Sequence, residues 1–265
     1  MTPLVHQNEA FIDIDYVYET AQERLRKKYR ISEKSSPFLR AVANRALRHT
    51  YHQDLQDSIL MEARRLQKFL NEQYHRYNRR VFVFASAGKH EGVASVVLNL
   101  ARAFELSTEH SVLFIDGNLK TPGFSRFLGN IGLGRGLLDM LSENIETKDV
   151  LHKLVSSEVY FMSHGRKRKQ LQGIVTRRRL RRLLDTVKGL FDMIIIASPP
   201  LELYPDGYLW GELSDGMILV IHAYETSLKT VKKIKQRAHR YNVALLGTIL
   251  NRRQYSIPRF FYEWL

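Results

Sequence analysis

The chain has 265 residues, 44% hydrophobic and 26% charged, which excludes wholesale disorder and fits one large domain with an appendage. It has no cysteine, so disulfide scaffolds, Cys-ligated zinc, iron–sulfur clusters and thiol nucleophiles are excluded, and no uncharged apolar run approaches the roughly 20 residues that span a bilayer. The net charge of +14, from 41 Lys and Arg against 27 Asp and Glu, points to a polyanionic neighbour such as anionic lipid, nucleic acid or an acidic polymer. The first residues show no basic stretch followed by an apolar block, so the expectation is a soluble cytoplasmic protein.

Residues 1–78 are polar and helix-like, broken near Ser35, Ser36 and Pro37. Within them Leu55, Ile59, Leu66, Phe69 and Leu70 recur at spacings compatible with one helical face. This stretch is read as an N-terminal helical extension. From Arg79 onward short apolar runs alternate with helical stretches. The runs are VFVFASA, SVLFID, VYFMS, DMIIIASPP, DGMILVIHA and ALLGTILN, with helices expected near 94–106, 137–141, 177–190 and 227–241. Runs this apolar are buried on both faces, the mark of parallel strands covered by helices. The expected fold is a doubly wound α/β sheet of six or seven strands over 79–265, carrying the helical extension 1–78.

In such a sheet the ligand site lies beyond the carboxyl ends of the strands. The first run enters Ser86-Ala87-Gly88-Lys89-His90-Glu91-Gly92-Val93-Ala94-Ser95 and then a helix, the position and length of a phosphate-binding loop. In the working frame G-x-x-x-x-G-K-[ST], backbone N–H groups cradle phosphates, the lysine neutralises their charge and the hydroxyl ligates magnesium. Laid on that frame, Gly92 keeps the second glycine, Val93 stands for the lysine and Ala94 for the hydroxyl. The second run ends in Asp116. An acid there either orients magnesium-bound water or closes the strand in an Asx turn. The DMIIIASPP run ends at Ala197, where a second metal-directing carboxylate usually sits.

These stations in this order resemble the kinase domain of bacterial tyrosine autokinases of exopolysaccharide and capsule assembly, relatives of the septum-site and partition ATPases. The resemblance covers roughly 58–251. It implies a P-loop NTPase-like fold and a nucleotide loop at Gly88, Lys89, Gly92, Val93, Ala94 and Ser95. It also implies an acidic motif at Asp116 and Asn118, a third motif at Ala197 and an adenine-contacting Asn251. Asp215, Gly216 and Val220 match the family's trailing D-G-x-x-x-V. Glu62, Arg65 and Lys68 resemble its E-x-x-R-x-x-R helix, which contacts the neighbouring protomer in ring-shaped octamers.

ATP and magnesium are the ligands the resemblance implies, and four substitutions argue against both: Val93, Ala94, Asn118 and Ala197. Phosphoryl transfer is mostly positioning and charge neutralisation, so their combined loss exceeds what Lys89 or His90 restores from a shifted position. The family's terminal tyrosine cluster is reduced to two separated tyrosines, Tyr255 and Tyr262, and the apolar tail 260–265 is expected to dock on its own domain or on a partner. The reading is a pseudo-enzyme at the inner membrane that regulates or scaffolds a membrane polysaccharide co-polymerase or export machine, self-associating or assembling with a family partner. An active kinase or ATPase and a partition-like DNA-binding module are the rivals.

One biased segment stands out. Arg166, Lys167, Arg168, Lys169, Arg177, Arg178, Arg179, Arg181 and Arg182 fall in 17 residues without an acid, leaving 32 basic against 27 acidic residues elsewhere. An anionic membrane surface is the leading partner for it. Nucleic acid ranks lower because no aromatic residues interleave the charges. A solvated basic helix face is the bland alternative.

Overall fold

The structure, a computed structural model, describes residues 52–251 except 108, 129–133, 144, 155, 156 and 167–173, with backbone alone for 52–58. Lys167, Arg168, Lys169, Tyr255, Tyr262 and the apolar tail therefore lie outside the described residues, as does most of the N-terminal extension.

The apolar runs form strands β1 Val81–Ser86, β2 Val112–Asp116, β4 Val159–Met162, β5 Met193–Ala197, β6 Gly216–His222 and β7 Leu245–Asn251, joined by a short β3, Leu151–Lys153. The helices are α1 His52–Tyr77, α2 Val93–Glu105, α3 Leu137–Ser142, α4 Arg177–Lys188, α5 Asp206–Glu212 and α6 Leu228–Arg240. The seven strands lie in the order β3-β4-β2-β5-β1-β6-β7. Every pairing is parallel except β3 with β4. This is the doubly wound, P-loop NTPase-like sheet expected.

Strand side chains alternate between two cores because their period is two. Val81, Val83, Ile194 and Ile196 point into one, closed by Leu180, Leu183, Leu184 and Val187 of α4, Trp210 of α5 and Ile234 and Ala238 of α6. Phe82, Phe84, Met193 and Ile195 point into the other, closed by Val97, Leu100 and Phe104 of α2 and Leu70 of α1. Each fully buried large side chain contributes on the order of 2–3 kcal/mol of transfer free energy. Helix α1 thus packs on α2 through Leu70, while Arg65 and Lys68 stay exposed. At that solvent face Arg65 pairs with Glu62 within the helix, at 2.8 Å.

The amino ends of the strands are fastened by acids. The Asp215 carboxylate accepts the N–H groups of Arg80 and Val81, both at 2.8 Å. Arg80 donates to the carbonyls of Phe191 and Asp192 at 2.6 and 3.1 Å. Asp192 accepts the Ser111 N–H at 2.9 Å and its hydroxyl at 2.8 Å. Gly216 follows Asp215 because an added Cβ would lie 2.3 Å from Leu246. The D-G pair of the trailing motif is thereby explained by packing.

The Ser111 backbone N–H, and after it the Ser111 hydroxyl, His110 and Arg80, hold the Asp192 carboxyl below the ordinary aspartate value of 3.8 despite partial burial. A lowered folded-state value adds stability above the unfolded value and loses it as pH falls through the folded one. Denaturant melts from about pH 5 downward should show wild type losing stability more steeply than Asp192→Asn. Parallel curves for the two proteins would remove Asp192 from the acid sensitivity.

Candidate functional site

At the carboxyl ends of β1, β2 and β5 the three stations meet around a cleft of about 280 Å³. The first loop supplies Ser86, Lys89, His90, Glu91, Gly92, Val93, Ala94 and Ser95. The second supplies Asn118, Thr121, Pro122, Gly123, Phe124, Arg126 and Phe127, and the third Ala197, Ser198, Pro200 and Tyr204. Among the expected residues, Gly88, Asp116 and Asn251 do not line it.

The loop is shaped from within. His90 and Gly92 adopt positive φ of 61° and 86°, reversing the chain ahead of α2, and Gly92 is the uncapped N-cap of that helix. Between them Glu91 is buried. Its carboxylate accepts the Ala87 N–H at 2.7 Å and the Thr226 hydroxyl, and its carbonyl accepts the Asn251 amide N–H at 2.9 Å. Asn251, expected to contact adenine, is instead buried under the loop as an anchor. Glu91 and Thr226 were missed by sequence reasoning. They stand 135 residues apart, and the one sequence signal was an acid inside a loop otherwise built of glycine and cations.

Asp116 points into the fold. It is fully buried, and its carboxylate accepts the N–H groups of Gly123 and Ser125 at 2.8 and 2.9 Å and the Ser125 hydroxyl. The Ser125 oxygen in turn accepts the His164 N–H at 2.8 Å. Burial pushes the Asp116 carboxyl above the ordinary aspartate range, opposed by Ser125, His164 and Gly123. The acid therefore closes the loop after β2 rather than facing the cleft. Asn118 does the same locally, its side-chain oxygen accepting the N–H groups of Lys120 and Thr121 at 3.2 and 3.3 Å.

The cleft offers an anion the amino end of α2, with Lys89 and Arg126 as cations. It offers a metal little. Among the lining residues Glu91 is the one carboxylate, and both of its oxygens are engaged. No group of three or more His, Cys, Asp or Glu that could hold a metal occurs among the described residues. The described lining therefore offers a magnesium ion no carboxylate oxygen that is not already engaged within the fold.

The basic tract is not acid-free in space. Arg166 donates through Nε to Asp139 at 2.7 Å and through Nη2 to Glu143 at 3.0 Å, both on or just after α3. Although burial alone would raise it, the Arg166 backbone N–H, then the Arg166 side chain and the Gly136 N–H, hold the Asp139 carboxyl below its ordinary value. Arg177 pairs with Glu212, and Arg179 donates to the Leu141 carbonyl at 2.8 Å. The expectation of an uncompensated tract is corrected here: loops far apart in sequence bring acids to it. Arg178, Arg181 and Arg182 remain exposed.

No family model matches the chain. It is 23% identical over 212 residues to the tyrosine-protein kinase CpsD of Streptococcus agalactiae serotype III, covering 78% of this chain and 91% of that protein. Its fold is similar to the kinase domain of Escherichia coli tyrosine kinase ETK, with a TM-score of 0.67, 23% identity and coverage of 75% and 78%. It also resembles the septum site-determining protein MinD of Pyrococcus horikoshii solved with Mg-ADP, with a TM-score of 0.57, 24% identity and coverage of 69% and 76%. The chain is thus similar in sequence to proteins named tyrosine-protein kinase and in fold to a kinase domain of that name. Among the described residues no helix is long and apolar enough to cross a membrane.

Asp116→Ala would leave the buried Ser125 N–H and hydroxyl without their acceptor. It should cost about 2–4 kcal/mol in urea unfolding. A loss below about 0.5 kcal/mol, within the range of ordinary surface substitutions, would show that the carboxylate does not hold this loop.

Proposed function

We propose that the chain is a catalytically degenerate relative of these kinases, a component that regulates or scaffolds bacterial exopolysaccharide synthesis and export beside a membrane co-polymerase. One observation carries the reading. The cleft where the three stations converge presents Val93, Ala94, Asn118 and Ala197 where the family's chemistry requires a lysine, a hydroxyl and two carboxylates. The remaining acid, Asp116, is withdrawn into the fold. Without lysine and metal-directing groups, each worth several kcal/mol of transition-state stabilisation, the transferring phosphoryl has no counter-charge in place. An active kinase is the second reading, favoured by Lys89 at the cleft. A single exposed lysine supplies neither metal ligation nor a base.

Purified protein incubated with radiolabelled ATP and magnesium should neither hydrolyse it nor label itself above background. Turnover that disappears with a Lys89→Ala change would establish the active reading instead.

The exposed side of α1 is the surface we assign to assembly. Arg65 and Lys68 lie there away from Leu70, and the Glu62–Arg65 pair, half exposed on the arginine side, is worth at most about 1 kcal/mol within the helix. Its charges are therefore cheaply exchanged for those of a neighbouring copy, and repetition around a ring can fix register. Arg65→Glu should weaken self-association in sedimentation velocity while lowering the thermal melt by only a few degrees. A wild type that stays monomeric at every concentration would remove this role from the helix.

A further inference from the structure

The excess charge has a second seat. Helix α6 and the strand after it, 228–251, contain six Lys and Arg and no acid. The helix buries Ile234 and Ala238 against the sheet. At 3.6 residues per turn the opposite face carries Lys229, Lys232, Lys233, Gln236 and Arg240, all exposed. None of these four cations makes an ion pair among the described residues, unlike Arg166 and Arg177. The acid just before the helix, Glu225, lies 3.7 Å from His222. Alongside, Lys232, Lys235, Gln236, His239 and Arg240 line a shallow groove.

Apolar residues stand at the head of this stripe. Leu228, the first residue of α6, is 72% exposed, and Tyr224 four residues earlier is 59% exposed. An exposed leucine at the start of a cationic helix contributes nothing to binding a phosphodiester backbone. It does contribute at a bilayer, where a leucine enters the headgroup boundary while lysines hold anionic headgroups. The cations on the stripe are mostly lysines, compact point charges without the bidentate geometry that reads a shaped acidic peptide. They suit a diffuse anionic plane. Helices α4 and α6 close the same core, so Arg178, Arg181 and Arg182 belong to the same layer of the molecule.

We infer that the outer stripe of α6, with Leu228 and Tyr224 at its head, binds the surface of an anionic lipid bilayer. This does not rest on the degeneracy of the cleft, since an active kinase with the same helix would bind equally.

The test is co-sedimentation of the full chain with vesicles containing phosphatidylglycerol and with vesicles of phosphatidylcholine alone, with duplex DNA as competitor at matched salt. Wild type should partition to the anionic vesicles only, and added salt should weaken it. Changing Lys229, Lys232, Lys233 and Arg240 to Glu should cut partitioning by about a hundredfold or more. The corresponding change at Arg178, Arg181 and Arg182 should cut it less. Leu228→Ser should cost about threefold, and should do so still at high salt where charge is screened. If the reversed protein melts below wild type, the Lys-and-Arg-to-Gln version of the same four sites is used, with a loss of about a hundredfold still expected at low salt. Equal partitioning of wild type and charge variants, equal binding to neutral vesicles, or preferential binding to DNA would each overturn the inference.

Discussion

Everything at the cleft depends on one buried carboxylate. Glu91 sits inside the first loop and gathers the Ala87 N–H and the Thr226 hydroxyl, while its own carbonyl takes the Asn251 amide. These contacts tie the exit of β1 to the exits of β6 and β7. A loop with two consecutive reversals, at His90 and Gly92, would otherwise have to find its conformation around a bound anion. Here an internal anion does that work. The geometry of this loop is therefore set from within, by Glu91 and its partners, and does not depend on the side chains at Val93 and Ala94.

The same economy appears at the other stations. Asp116, Asn118, Asp192 and Asp215 all spend their oxygens on backbone N–H groups, at strand ends where the sheet ladder leaves donors without partners. Acidic residues at the ends of parallel strands serve two uses that look alike in sequence: directing a metal and closing a turn. Burial separates them. Asp116, with no exposed surface and hydrogen-bond donors arranged around it, belongs to the second. What the fold keeps is architecture, and the relation to bacterial tyrosine kinases and to MinD-like folds is a relation of architecture first.

Much of this was legible in the residues. Unbroken apolar runs such as MIIIA and GMILVIH are buried along almost their whole length, so both their presence and their parallel pairing followed from composition. The edge strand Leu151–Lys153 was not, because three residues reading LHK carry no period and the strand exists only through its antiparallel pairing with β4. Helix α5, with glycines at Gly207 and Gly211, gave no helical signal. The glycines are required by packing, since a Cβ at Gly207 would collide with Leu201 and one at Gly211 with Met217 and Val243, and the helix buries Tyr208 and Trp210 between them. Charge was the subtler failure. Counting along the chain placed the excess in 166–182 and treated the remainder as balanced, yet Arg166 and Arg177 find acids across loops while α6 finds none among the described residues. Compensation is a property of space, and a one-dimensional count averages over it.

The central claim is that phosphoryl chemistry at this cleft has lost its metal as well as its lysine. Equilibrium titration of the full chain with ATP, in magnesium and in a chelator, addresses that loss apart from turnover. With Asn118 and Ala197 at the metal-directing positions and Asp116 buried, magnesium should change the affinity by less than about threefold. Tightening by about tenfold or more on adding magnesium, equivalent to about 1.4 kcal/mol, would contradict the loss of the metal site.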